Sequence, residues 1–148
     1  MSEHGIAVIS DTHGKVPNRL LDHIASAEEI WHLGDVTRPD ILIPIQNLGR
    51  PLFVVQGNCD PYGAWPKTRT LERNGFTFHL QHLPPHGFLP GVTAILYGHL
   101  HQPLDDDCQG TRALNPGAVT GPRNGSSSSF AWLRFPKPNQ WSWEVEAI

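Results

Sequence analysis

Cysteine is nearly absent from this sequence: Cys59 and Cys108 are the two in 148 residues. Thiols so far apart fit neither a paired-cysteine zinc site nor a disulfide framework, and a reduced, cytoplasmic setting is the expectation. No apolar run approaches the ~18 residues that a membrane-spanning helix needs. The opening MSEHGIAVIS has no basic stretch leading into a long apolar one, so neither an anchor nor a signal peptide is expected. Positive charge is not in excess. Eleven Lys and Arg against 14 Asp and Glu give a formal net charge of -3, which leaves no electrostatic footprint for non-specific nucleic-acid binding. Internal repeats and long linkers are missing too. Ser126 to Ser129 is the most linker-like stretch and is short, so one domain over residues 1–148 is expected.

Histidine is what the chain has in quantity, with nine. Imidazoles serve as metal ligands and proton carriers, so their placement decides what they mean.

Ile6 to Ser10 is a short apolar, β-branched run that reads as a strand buried on both faces. Pro17 to Ala27 reads as a helix, with Leu20, Leu21, Ile24 and Ala25 on one face. Glu29 to Leu33 and Leu52 to Gln56 read as two further strands. Between them Pro39 to Leu48 has helical spacing interrupted by Pro44. Strand, helix, strand, helix, strand predicts parallel pairing with helical crossovers. The remainder is β-rich. Arg69 to Arg73 and Phe76 to His82 flank the turn signal Asn74-Gly75. Thr93 to Tyr97 and Thr111 to Leu114 follow, and Phe130 to Phe135 with Trp141 to Val145 reads as a last hairpin. The pattern predicts an α/β fold with two sheets packed face to face and helices outside. Trp31, Trp132, Trp141 and Trp143 are expected in the core, Asp105 to Asp107 in a solvated loop, and His4, His23 and His79 facing solvent.

Polar residues able to bind metal recur just after the predicted strands. Asp11 and His13 follow the first, Asp35 the second and Asn58 the third. His82 closes a later strand, and His99 and His101 follow the next. Ligands in open α/β sheets gather at the carboxyl ends of the strands, so these seven should converge. Singly, each has a plain structural explanation: Asp11 as a helix cap, Asp35 and Asn58 as turn residues, the histidines as surface groups. Those explanations do not account for seven ligand types at successive strand ends. Carboxylate and imidazole together suit Mn, Fe, Zn or Ni. One Asp can bridge two ions, and two ions ~3.5–4 Å apart form a clamp for phosphoryl chemistry.

Ser10-Asp11-Thr12-His13-Gly14, His32-Leu33-Gly34-Asp35, Gly57-Asn58-Cys59-Asp60 and Gly98-His99-Leu100-His101 resemble, in order, the signature of the calcineurin-like metallophosphoesterases. Asn115-Pro116-Gly117 resembles a segment of the smaller prokaryotic members. The resemblance implies a two-sheet sandwich flanked by helices on both sides (αββα). It implies one metal on Asp11, His13 and His101, a second on Asn58, His82 and His99, and Asp35 bridging them. A bridging hydroxide would attack phosphorus, with Asp35, Asn58 and His99 at the reacting centre. Two divalent ions, Mn first and Fe, Ni or Zn after it, are the implied cofactors. The implied substrate is a small-molecule phosphate ester, with a diester favoured because Gly-Asn-Cys-Asp is similar to the small prokaryotic phosphodiesterase branch.

Departures bear on the site. Many members carry His where this chain has Cys59, and a thiol is a poor proton donor, so catalysis on poor leaving groups should be weaker; Cys59 is a candidate substrate contact. His86, in His86-Gly87, rivals His82 as ligand; His82 is preferred because it ends the alternating strand. Only 16 residues separate His82 from His99, and this Pro/Gly-rich stretch is expected to lack the usual helix. His32 is expected to support the ligands rather than bind metal. Asn115 is open between a hydrogen bond to the site and a plain turn. Trp65 is open between a substrate pocket and a dimer contact, and a homodimer is left open. The alternative to an enzyme is a metal-binding protein-interaction scaffold of the same fold, as in a retromer subunit that the fold resembles.

Overall fold

The computed structural model describes residues 5–148, so His4 lies outside the described residues. Among the described residues ten strands form two five-stranded sheets. The first sheet has the order β10-β9-β1-β2-β3, where β1 is Ile6–Ile9, β2 Glu29–His32, β3 Leu52–Val54, β9 Ser129–Arg134 and β10 Ser142–Ala147. The second has the order β4-β5-β6-β8-β7, where β4 is Thr68–Arg73, β5 Phe76–Gln81, β6 Ala94–Leu96, β7 Pro103–Cys108 and β8 Thr111–Pro116.

The central strand β1 shows why its sequence is apolar throughout. Its four residues are all buried, and alternation sends them to two different cores. Ala7 and Ile9 pack with Leu20 and Ile24 of α1 (Asn18–Ile24) and with Ile41 and Ile45 of the second helical segment. Ile6 and Val8 face the other sheet, in a core with Trp31, Leu33, Phe78, Leu80, Leu96 and Leu114. β1, β2 and β3 pair in parallel, as the alternating pattern predicts. The second helical segment is a 3-10 turn, Pro39–Leu42, running into α2, Ile43–Gln46. Pro44 falls in the first turn of α2, where its missing N–H costs nothing.

The two-sheet α/β sandwich is as expected, while the reach of its helices, Asp105 to Asp107 and two tryptophans differ from expectation. Among the described residues the helices all precede β3, so they cover only the outer face of the first sheet. As expected, no helix lies between β5 and β6, where Pro84, Pro85, Gly87, Pro90 and Gly91 leave turns instead. Asp105 to Asp107 are not a loop: they lie in β7, an edge strand antiparallel to β8, and point their charges to solvent. Acidic side chains on an edge strand discourage pairing with another chain, and Arg112 of β8 pairs with Asp105. Trp31 and Trp132 are buried as expected, whereas Trp141 and Trp143 are only partly covered.

A tie between the sheets runs from β2 to β4. Arg73 donates from Nε and Nη2 to the two Glu29 carboxylate oxygens, each at 2.8 Å. The Arg73 hydrogen bond is the largest influence on the Glu29 carboxyl and holds it below the usual glutamate value, against the opposing effect of burial. The same guanidinium lies over the Trp31 ring, 5.7 Å from its centroid.

Candidate metal centre

The parallel runs β1-β2-β3 and β5-β6 end on a common edge, and the seven candidate residues occupy the loops that leave it. Asp11, His13, Asp35 and Asn58 come from the first sheet; His82, His99 and His101 come from the second. Backbone bonds hold these loops together. Asp11 N–H donates to Gly34 O and His13 N–H to Asp35 O, both at 3.0 Å, and Gly98 N–H donates to His82 O at 3.0 Å.

Five of the seven adopt left-handed backbone: Asp11 (φ 57°), His13 (47°), Asp35 (60°), His99 (72°) and His101 (56°). Such conformations cost energy for residues with a Cβ and persist where the surroundings enforce them. The loops also come unusually close. A Cβ at Gly57 would collide with Asp35 Oδ1 and the Asp35 amide nitrogen, and one at Gly98 would strike Ser10 Oγ and lie 2.9 Å from Asp11 Oδ2. Glycine at those two positions is what lets the carboxylates sit against the neighbouring loops.

Each carboxylate has one oxygen held by protein donors and one turned to the histidines. Asp11 Oδ2 accepts from Ser10 Oγ at 2.8 Å and from His99 N–H at 3.1 Å. Asp11 Oδ1, fully buried, receives no hydrogen bond, and lies 3.3 Å from His101 Nε2 and 3.6 Å from His13 Nε2. Asp35 Oδ1 accepts from Cys59 N–H at 2.9 Å. Asp35 Oδ2 is 3.2 Å from His82 Nε2 and 3.6 Å from His13 Nε2.

The histidine tautomers follow from their backbone partners. A carbonyl only accepts, so His82 Nδ1–H donates to Leu33 O at 2.8 Å and His101 Nδ1–H to Gly121 O at 2.8 Å. In the neutral rings both Nε2 lone pairs then face the carboxylates. His82 Nε2 has no hydrogen-bond partner, so its approach to Asp35 is electrostatic. Burial opposes charge on His82, but Asp35 and Asp11 outweigh it and shift the imidazole up. Burial likewise works to raise the Asp35 carboxyl. The His82 imidazole, the Cys59 N–H and the His13 ring outweigh it and hold Asp35 at about 2.

An unpartnered inward imidazole nitrogen, His82 Nε2, near an unpartnered buried carboxylate oxygen, Asp11 Oδ1, is the chemistry of a cation site. Three groups of donor atoms lie within 4.8 Å of one another: Asp11 with His13 and His101, Asp35 with His82 and His99, and His13 with Asp35 and Cys59. Asn58 joins the second group, its Oδ1 accepting from His99 Nδ1 at 3.1 Å. Asp35 Oδ2 lies within reach of both His13 and His82. The fit to two cations sharing Asp35 is therefore good. His86 is exposed and stands outside these groups.

The supporting residues are partly ones the sequence did not single out. His32 is buried, with Gly34 N–H donating to its Nδ1 at 3.0 Å, so Nε2–H donates to Thr12 Oγ1 at 3.0 Å. Burial, with the His82 charge behind it, pushes His32 down to about 3; it stays neutral and orients the loop. Asp60 caps three amides, its Oδ2 accepting from Gly57 at 2.7 Å and Asp35 at 2.9 Å, and its Oδ1 from Thr37 at 2.7 Å. Asp60 was legible only as part of the Gly-Asn-Cys-Asp string. Thr120, which bonds Asp11 O and Thr12 O, had no sequence signal. Asn115 sits in β8 and donates to Gly98 O at 2.9 Å, beside His99; it supports the site. Cys59 is exposed, and burial followed by the Asp35 charge raises its thiol above the usual value, so it stays protonated. Trp65 is half-buried and lines a cavity beside Asn58.

Residues 5–137 match the family model described as the calcineurin-like phosphoesterase superfamily domain. A probable metallophosphoesterase of Methanothermobacter thermautotrophicus is 36% identical over 136 residues, 80% of this chain and 78% of that protein. Phosphodiesterase YfcE of Escherichia coli is 27% identical over 157 residues, 84% of each chain; its solved structure superposes with a TM-score of 0.74, over 87% of each chain. The zinc complex of Vps29 from Entamoeba histolytica has the same TM-score at 21% identity, over 95% of this chain and 96% of that one.

Proposed function

The chain belongs to the calcineurin-like phosphoesterase superfamily, and on that premise we propose that it is a phosphodiesterase working with two divalent cations. The observation that carries this reading is the convergence of two carboxylate oxygens and inward imidazole nitrogens on one spot, with Asp11 Oδ1 and His82 Nε2 unpartnered. Asp11, His13 and His101 hold one cation, and Asn58, His82 and His99 the other, with Asp35 shared. Such a pair supplies an activated water and neutralises charge on the phosphoryl oxygens.

The chain's own residues prepare that chemistry. Leu33 O and Gly121 O fix the Nδ1 protons of His82 and His101, so their Nε2 atoms are available without reorganisation. Asp35, held ionised by its neighbours, stays a ligand well below neutral pH. Carboxylate and imidazole donors without a thiolate suit Mn, Fe, Ni and Zn, with Mn the first to test. The likeness to Vps29 carries the fold alone, and the completeness of the donor set favours hydrolysis over a scaffold role.

The test is hydrolysis of bis-p-nitrophenyl phosphate by metal-stripped protein before and after Mn²⁺. Activity should appear with metal and vanish in His99→Ala. Two equivalents of bound metal without turnover of any phosphate ester would favour the scaffold.

A further inference from the structure

Two cavities open from Asn58 and adjoin the candidate metal centre. One, of about 430 Å³, runs from Asn58 and His82 to Leu83, Pro84 and His86. The other, of about 370 Å³, runs from Asn58 past Asp60 to Tyr62 and Trp65. Gln56, Gly57 and Lys67 line both. The cavities are thus two arms diverging from one junction, each with room for an aromatic or nucleoside-sized group. Their far walls are apolar or flat: Leu83 and Pro84 in one arm, the Tyr62 and Trp65 rings in the other.

The groups at the junction differ in what they have left to offer. Gln56 is occupied: its Nε2 donates to Pro61 O at 2.8 Å and its Oε1 accepts from Trp65 N–H at 3.0 Å. Gly57 has no side chain, and Asn58 faces His99. Arg38, Arg73, Arg112 and Arg134 are each engaged by a carboxylate. Lys67 takes part in none of these pairs and is exposed. Its ammonium is the permanent positive charge common to both arms, with three donors available to a ligand.

Resting on the phosphodiesterase reading, we propose that Lys67 contacts the non-bridging oxygens of the substrate phosphate at the junction of the arms. The arms take the two ester groups, so the substrate class is phosphodiesters with bulky organic groups on both sides. A methyl ester would leave one arm unfilled.

The experiment compares bis-p-nitrophenyl phosphate with methyl p-nitrophenyl phosphate on the Mn²⁺-loaded protein. Lys67→Ala should raise KM for both diesters about tenfold, the loss expected for one charge-assisted contact, with kcat little changed; Lys67→Arg should regain most of it. Wild-type KM should be about tenfold lower for the bis-aryl ester, from burial of the second ring. Tyr62→Ala or Leu83→Ala, both at exposed positions, should erase that preference. Unchanged KM in Lys67→Ala overturns the lysine contact while leaving phosphodiesterase activity standing. Equal wild-type KM for the two esters overturns the two-armed fit. A wild-type protein that hydrolyses neither overturns the phosphodiesterase reading, and this proposal with it.

Discussion

His13 and His101 bring their Nε2 atoms to 3.2 Å from each other and to 3.6 and 3.3 Å from the unpartnered Asp11 Oδ1, a near-equilateral triangle of donor atoms. The His101 proton is on Nδ1, bonded to Gly121 O, so its Nε2 presents a lone pair to this contact. A cation between the three would satisfy all of them, whereas in its absence His101 Nε2 is left to a hydrogen bond from His13 and Asp11 Oδ1 has no donor. Chelation should therefore cost stability as well as activity. We expect Tm to fall by several degrees on metal stripping and to recover with Mn²⁺ in a concentration-dependent way. A Tm indifferent to both treatments would contradict the fit.

Asp35→Asn tests the sharing of one carboxylate. The amide can still accept from Cys59 N–H, so the loop should keep its shape. Bound metal, measured by elemental analysis, should drop from two equivalents toward none. Full retention of both ions would refute the shared role.

His82 and His86 separate cleanly. His82→Ala should lose one equivalent of metal and about 10²-fold or more in activity. His86→Ala should keep both ions. The reverse pattern would transfer the ligand role to the exposed histidine.

Asp60→Asn removes charge from an acceptor of three amide hydrogen bonds that position Asp35 and Gly57. The expected loss is about 1–3 kcal/mol of stability, with metal affinity about 10–100-fold weaker. Calorimetric unfolding and metal titration would read the two effects; unchanged values in both would mean that the loop holds itself.

Acid stability should report the tie between the sheets. Arg73 lowers the Glu29 carboxyl in the folded state, so its contribution is complete above the ordinary glutamate value of about 4.3. It is lost as pH falls through the lowered folded value. Glu29→Gln should be less stable than wild type at pH 7, with the difference shrinking as pH falls through that window. A gap that stays constant to pH 2 would show that the pairing, and not the charge, is what matters.

How much of this was legible beforehand depended on the kind of interaction. β1, β2 and β3 were readable because burial on both faces demands continuous apolar runs, and Asn74-Gly75 because its left-handed turn demands those residues. The convergence of the candidate residues was readable because Asp11, Asp35, Asn58 and His99 each follow a strand that points to the same edge. β7 was missed because an exposed edge strand is under pressure to carry charge, and Asp105 to Asp107 therefore resemble a loop. Asp60 and Thr120 escaped notice because they act on backbone atoms of distant loops, a relationship that exists only after folding. Lys67 had no local pattern at all; its significance comes from the two cavities that meet beside it.

The ligand loops come from both sheets, four residues from the first and three from the second, and that division reaches beyond chemistry. Cations held among them would fasten the two halves of the chain much as a cross-link does, tying Asp11 to a histidine 90 positions further along the chain. A protein fastened in this way becomes hardest to unravel and to digest when metal is abundant and softest when it is scarce. Its lifetime would then track the supply of the ion it uses.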